Sequence, residues 1–219
     1  LIKLEDVKEH PVAKTFIKKG DDHLGEMGFT EHSYRHKNLV SKIASNVLER
    51  LGYSEREVEL AAIAGYLHDI GNVISRYNHG QTGAMLAYDI LKDLGMDPGE
   101  IATVISAIGN HEEQYGESVN NVSAALILAD KSDVHRSRVR NPDVSTFDIH
   151  DRVNYGAVHS FLKVDTEERK ITLELEIDQS ITTVMEYFEI FLSRMVMCRR
   201  AAEFLDASFG LVINDAKLL

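Results

Sequence analysis

The chain has 219 residues, 44% of them hydrophobic and 27% charged, which suits a globular protein able to bury a core without staples. Lys and Arg number 24 against 35 for Asp and Glu, and the net charge of −11 disfavours gripping long nucleic acid or an anionic membrane. One cysteine, Cys198, excludes a disulfide framework and a Cys-rich zinc site and fits a reducing compartment. No apolar run reaches membrane-spanning length and Leu1–Asp6 lacks a signal-peptide shape, so the expected location is the cytoplasm.

Only three prolines, Pro11, Pro98 and Pro142, interrupt the chain, which leaves room for long helices. Val40, Ile43, Ala44, Val47, Leu48 and Leu51 recur at helical spacing, with Gly52 placed to end the helix. Ser54 to Glu57 is a capping box that opens an apolar helix through His68 and Asp69, and Gly71 is expected to stop it. Met85, Leu86, Ile90, Leu91 and Leu94 mark another helix, closed by Gly95. Asp97, Pro98 and Glu100 read as N-cap, first-turn proline and acidic third residue of the next, which carries Ile101, Val104, Ile105 and Ile108. Val122, Ala125, Leu126 and Ala129 mark a fifth, continuing through Asp130.

Beyond about residue 141 the pattern changes. Residues 141–156 are polar and mixed and read as a long loop. Two strands follow, from Gly156 to Val164 and from Lys170 to Ile177, the second alternating through Ile171, Leu173, Leu175 and Ile177. Ile181 to Leu205 is helical and apolar on most sides, and Phe209 to Ile213 is fit for a further strand. The expected fold is mainly α: a helical bundle over 1–140, N-terminal helices included, with a small α+β extension over 141–219. That extension holds a loop, a β-hairpin, a long apolar helix and a terminal strand. The apolar helix carries more grease than one side can hide, so a homodimer through the extension is expected.

Ten histidines and no tryptophan stand out. His is the commonest metal ligand and the usual acid–base group near neutral pH. His68-Asp69 sits at the end of an apolar helix, where a buried carboxylate needs opposite charge beside it. His36, His79, His111 and Asp130 each lie at a helix terminus as well, and a bundle can bring such termini together. Nitrogen and oxygen donors without thiolate suit Fe, Mn, Co, Ni or Zn. A shared carboxylate such as Asp69 is what a two-metal site needs.

In these residues the chain resembles the HD-domain metal-dependent phosphohydrolases, whose pattern is H…HD…D. Tyr66-Leu67-His68-Asp69-Ile70-Gly71-Asn72 matches the family's L-H-D-I-G-K up to its last position. The family's first helix, H-S-x-R-V-A with apolar followers, fits better from His36 than from His32. His79 with Gly83 fits H-x-x-x-G. Asn110-His111-Glu112 fits H-H-E with its first His replaced, and Asp130 fits the closing Asp. The likeness covers about residues 30–140. It implies one ion held by His36, His68, Asp69 and Asp130 and a second by Asp69, His79 and His111. A water between two such ions becomes hydroxide near neutral pH and attacks phosphorus. The cofactors implied are thus divalent ions, two of them, with Fe, Mn, Co, Ni, Zn and Mg not distinguished.

Asp69, Lys131 and His32 are the catalytic candidates. Lys131 and the basic run Arg136, Arg138 and Arg140 are offered for phosphate, the alternative for the arginines being a solvated helix face. His32 lies one helical turn before His36 if the helix starts that early; it is either an acid beside the ions or a residue capping or lining the pocket mouth. Glu112 and Glu113 either orient His111 or a water, or at least one is solvated. His10, His23, His135, His150 and His159 have no ligand spacing, and Cys198 reads as core. Asn72 in place of the family Lys makes any phosphate contact from that position neutral. No G-Y-P follows His111, so the chain does not look like the cyclic-di-GMP phosphodiesterase branch. The expected substrate is a small nucleotide or other phosphorylated metabolite, hydrolysed at a phosphate ester. Two alternatives share the ligand set: a mixed-valence di-iron oxygenase, and a metal- or nucleotide-binding regulatory module without chemistry.

Overall fold

The computed structural model describes all 219 residues. Two helices, α1 (Leu4–Glu9) and α2 (Pro11–Glu26), precede the bundle proper. It continues with α3 (Tyr34–Arg50), α4 (Glu55–Leu67), α5 (His79–Asp93), α6 (Pro98–Gly109) and α7 (Asn121–Ser132). The start signals act as the sequence expects. Ser54 and Glu57 cap α4 reciprocally, and Asp97 Oδ1 accepts from the Gly99 and Glu100 amides at the start of α6. Gly52 and Gly95 take left-handed backbone just past their helices.

Two helices form the centre. Every residue of α4 from Leu60 to Leu67 is buried, and so is α7 from Val122 to Ala129. A helix apolar on all sides has to be surrounded, and α3, α6 and α1 pack on α4 while α3, α6 and α9 (Val184–Phe204) pack on α7. Gly65 sets how close α3 comes: a Cβ there would lie 2.7 Å from Ser41 Cα. The Ser41 hydroxyl donates to the Ala62 carbonyl across the same contact, at 2.7 Å.

The 141–156 stretch is not a loop throughout. It contains a short 3₁₀ turn at Val144–Thr146 and a helix, α8 (Ile149–Gly156). Asp148 caps α8 through the Asp151 amide, and Val153 and Asn154 are buried. The expectation of a loop failed because so short a helix buries too few residues to show an apolar period.

The remainder is the expected small α+β part. Strand β1 (Ala157–Asp165) pairs antiparallel with β2 (Lys170–Ile177), and β3 (Ser208–Ile213) lies parallel to β2. A two-residue strand, β4 (Ala216–Lys217), closes the order β1-β2-β3-β4. Parallel neighbours need a crossover, which α9 supplies. Ile171, Leu173 and Leu175 face Phe209, Leu211 and Ile213 across the β2–β3 register, all buried. The same side takes Phe191, Cys198 and Ala201 of α9 into one core continuous with that of the bundle. Met185 and Leu192 of α9 stay exposed. No helix is long and apolar enough to cross a membrane.

Candidate metal centre

The C-terminal ends of α4, α6 and α7 converge, and each brings a polar side chain. His68 caps α4 and Asp69 follows it; His111 follows the α6 cap Asn110; Asp130 lies in the last turn of α7. Helix C-termini carry partial negative charge, which favours a cation. His36 arrives from the first turn of α3 and His79 from the first residue of α5. Helix α4 ends at Leu67, earlier than the expected stop at Gly71, and a 3₁₀ turn over Ile70–Val73 follows. Gly71 has another task. A Cβ there would lie 2.1 Å from the His79 carbonyl and 2.6 Å from the Gly83 amide, so glycine lets the His68-Asp69 turn press against α5.

All four histidines turn the same edge inward. The His68, His79 and His111 Nδ1–H groups donate to the carbonyls of Gly65, Arg76 and Ile108, at 2.8, 3.0 and 2.6 Å. His36 instead donates from Nδ1 to Asp133 Oδ2 at 2.7 Å. A carbonyl can only accept, so these contacts fix the proton on Nδ1 and leave Nε2 as a lone pair in the neutral ring. The lone pairs then meet. His36 Nε2 is 3.2 Å from His68 Nε2, and His79 Nε2 is 3.1 Å from His111 Nε2.

Asp69 stands between the two pairs with one oxygen for each. Its Oδ2 is 3.6 Å from His36 Nε2 and 3.4 Å from His68 Nε2, while its Oδ1 is 3.2 Å from His79 Nε2 and 4.0 Å from His111 Nε2. Asp130 Oδ1 completes the first group at 3.4 Å from His36 and 3.5 Å from His68. The donor atoms of His36, His68 and Asp130 lie within 4.8 Å of one another, and so do those of His68, Asp69 and His111. Ligands roughly 2.1 Å from one ion sit about 3.0–3.4 Å apart, which these spacings approach.

The donor set fits divalent ions. Opposed lone pairs and two carboxylates, with Asp69 3% exposed and its Oδ2 without a hydrogen bond, repel one another unless positive charge lies between them. Burial alone would raise the Asp69 carboxyl, yet His68, His32 and His79 outweigh it and hold the group well below the carboxylate range. Burial likewise pulls on the His68 imidazole, but Asp69 and Asp130 hold it up to about 9. His111 is held low by burial and by the neighbouring His79 and His68.

The other sequence candidates divide. Lys131 Nζ pairs with Asp130 Oδ2 at 2.6 Å, on the carboxylate oxygen turned away from the histidines. His32 lies before α3, whose cap is Ser33, so it is not one helical turn ahead of His36. Its Nδ1–H donates to the Thr30 carbonyl at 2.6 Å, its Nε2 accepts from Arg138 at 3.1 Å, and Asp69 Oδ2 is 3.9 Å away. Burial keeps the His32 ring well below the ordinary imidazole range.

The basic run is not a solvated helix face. Arg138 is buried, donating to the Glu31 and Asp133 carbonyls; Arg140 pairs with Asp21; Arg136 lies over the Tyr155 ring at 5.2 Å. These arginines fasten the 135–140 segment to the α2–α3 connection and to α8. Neither Glu112 nor Glu113 is left to solvent. Glu112 accepts from the Gly80 amide at 2.6 Å and lies 3.3 Å from His79 Nδ1, so it braces His79 rather than His111. Glu113 pairs with Arg194 and accepts from Ser193.

Three neighbours escaped the sequence reading. Asp133 holds His36 and also accepts from Arg35 at 3.1 Å; its place one helical turn beyond Asp130 was the available signal. Arg76 NH1 is 3.3 Å from His79 Nε2, and nothing in its sequence surroundings marked it. Lys37 is 1% exposed, and its ammonium reaches the His32 carbonyl.

The family model described as HD domain matches residues 29–156, from the approach to α3 through the end of α8. The chain belongs to the HD-domain family. It is an enzyme of that superfamily of metal-dependent phosphohydrolases. An uncharacterised protein of Methanocaldococcus jannaschii is 25% identical over 195 residues, which cover 78% of this chain and 74% of that one. The crystal structure of a predicted HD-superfamily hydrolase from an uncultured Thermotogales bacterium matches with 25% identity and a TM-score of 0.45. The match covers 60% of this chain and 67% of that chain.

Proposed function

We propose that the chain hydrolyses a phosphate ester in a small phosphorylated molecule at a two-ion centre. His36, His68, Asp69 and Asp130 would hold one ion, and Asp69, His79 and His111 the other. The observation that carries this reading is the two-sided Asp69 carboxylate, with one oxygen toward each pair of opposed Nε2 atoms. When bound, such ions acidify water near neutral pH and offset charge on the phosphoryl oxygens.

The chain supplies orientation and local charge. Asp133 and the three carbonyls hold the imidazoles in the tautomer that presents Nε2. Lys131 and Arg76 bring cationic groups to opposite ends of the constellation, one beside Asp130 and one beside His79, where phosphoryl oxygens can meet them. His32, with both ring nitrogens engaged, acts in this reading as a wall of the site. The bond formed joins water oxygen to phosphorus. The bond broken joins phosphorus to the ester oxygen, which leaves as the alcohol after taking a proton.

The test is to purify the full chain, quantify bound metal, and screen phosphate monoesters with Mn, Fe, Co and Mg while recording oxygen uptake. Release of inorganic phosphate without oxygen consumption, lost in Asp69→Ala, is expected. Metal-loaded protein that turns over no ester with any of these ions overturns the reading.

A further inference from the structure

A cavity of about 480 Å³ opens beside the metal centre, between the end of α2 and the segment that joins the 3₁₀ turn to α5. That is within the roughly 300–1,000 Å³ of sites that enclose small organic molecules. Met27 and Phe29 form one wall and Ile74 and Tyr77 the other. All four are exposed, Tyr77 to 81%, so a cluster of large apolar side chains faces water at one place on an otherwise acidic protein. Such clustering marks a binding surface more than single exposed residues do.

Two further lining residues tie the cavity to the ligand cluster. Asn72 is 2% exposed and donates from Nδ2 to the Asp69 carbonyl at 3.0 Å. That bond fixes which end of the amide is oxygen, and Asn72 Oδ1 is left without a partner. Arg76 reaches His79 Nε2 with NH1 at 3.3 Å, while its guanidinium carbon lies 5.9 Å from the centre of the Phe29 ring. Charge therefore stands at the metal end, an orphan acceptor lies at the junction, and aromatic and aliphatic surface lines the far side.

We infer that this cavity seats the organic part of the substrate, a flat aromatic or heteroaromatic group carrying a hydrogen-bond donor, as in a nucleoside monophosphate or an aryl phosphate. The inference rests on the hydrolytic reading above and deepens it. A flat ring covers Phe29 and Tyr77, and its donor satisfies Asn72 Oδ1. Arg76 then lies between ring and phosphate, where a guanidinium both stacks and binds anionic oxygen. A polyol phosphate would instead set hydroxyls against Met27, Ile74 and the ring faces, where they lose water and gain one acceptor.

The experiment compares kcat/KM for adenosine monophosphate and p-nitrophenyl phosphate with that for glycerol phosphate, using the manganese-loaded full chain. The aromatic esters are expected to lead by about tenfold or more. Phe29→Ala and Tyr77→Ala should shrink that lead about tenfold, chiefly through KM of the aromatic esters. Calorimetry with adenosine itself supplies a second readout, with binding to the wild-type chain weakened in Tyr77→Ala, a surface position that tolerates truncation. Equal turnover of all three esters, or a lead that neither variant changes, overturns the inference and leaves the hydrolytic reading standing. If no ester is turned over, the hydrolytic reading falls and the adenosine titration decides the cavity: binding that needs Tyr77 upholds it, and no binding overturns it.

Discussion

At the scale of single residues, the centre is a problem of orientation. Each imidazole has two nitrogens, and each is held by its far one, so that Nε2 points inward. Three of the holders are backbone carbonyls, and the fourth is Asp133 on His36. A carboxylate raises ligand basicity more than a carbonyl does, so His36 is the most strongly electron-donating of the four. Burial would raise the Asp133 carboxyl, but His36, Arg138 and Arg35 depress it far more, so it is ionised whenever the protein is folded. Asp133→Asn keeps an acceptor for His36 and removes the charge. It should weaken metal binding about 10- to 100-fold, read by metal titration against a competing chelator, with little change in far-ultraviolet circular dichroism. Unchanged affinity would show that the carboxylate's charge does nothing for the ligand.

The same scale shows what a linear sequence exposes. His36, His68, Asp69, His79, His111 and Asp130 could be read in order because each sits at a helix end that its own neighbours predict. Arg76 and Asn72 could not, since their importance depends on distances to His79 and Asp69 rather than on local pattern. The arginines at 136, 138 and 140 misled for a related reason. Charge in sequence reports solvation only if the segment is exposed, and Glu31, Asp133 and Asp21 draw these side chains inward.

At the scale of elements, the helices were legible where caps and apolar period agree, as in α4 and α6. They were hidden where the helix is short, as in α8. The parallel placement of β3 beside β2 was equally out of reach, because pairing is set by how α9 crosses and not by the strand's own residues. Glycine marks the contacts that matter most. At Gly71 an added methyl group meets backbone on two sides, the His79 carbonyl and the Gly83 amide, and backbone cannot swing aside as a side-chain tip can. At Gly109, the last residue of α6, the nearest atom to an added Cβ is Ala84 Cβ at 3.8 Å, an ordinary contact. Gly71→Ala should therefore cost about 1–3 kcal/mol or more and impair metal binding by driving the His68-Asp69 turn from α5. Gly109→Ala should be neutral or stabilise by up to about 1 kcal/mol. Urea unfolding of the two variants checks the contrast, and equal stability would refute the packing account of the turn.

At the scale of the whole molecule, the six ligands come from α3, the α4 end, α5, the residue after the α6 cap, and α7. No unfolded chain holds such a set together, so ions that bind here bind the folded state and stabilise it by mass action. One site at a free concentration 100-fold above Kd adds about 2.7 kcal/mol. For a chain of this size each kcal/mol moves Tm by roughly 2–4 °C, so manganese or another fitting ion should raise Tm by about 5–10 °C and a chelator should reverse the rise. The negative net charge gives a rival explanation, since any divalent ion could screen −11 charges without occupying a site. Asp69→Ala separates the two. It removes the oxygens that face both histidine pairs while changing the net charge by only one, so specific binding predicts that most of the rise disappears. Screening predicts a rise of nearly the same size in wild type and variant, matched by magnesium, calcium and manganese alike.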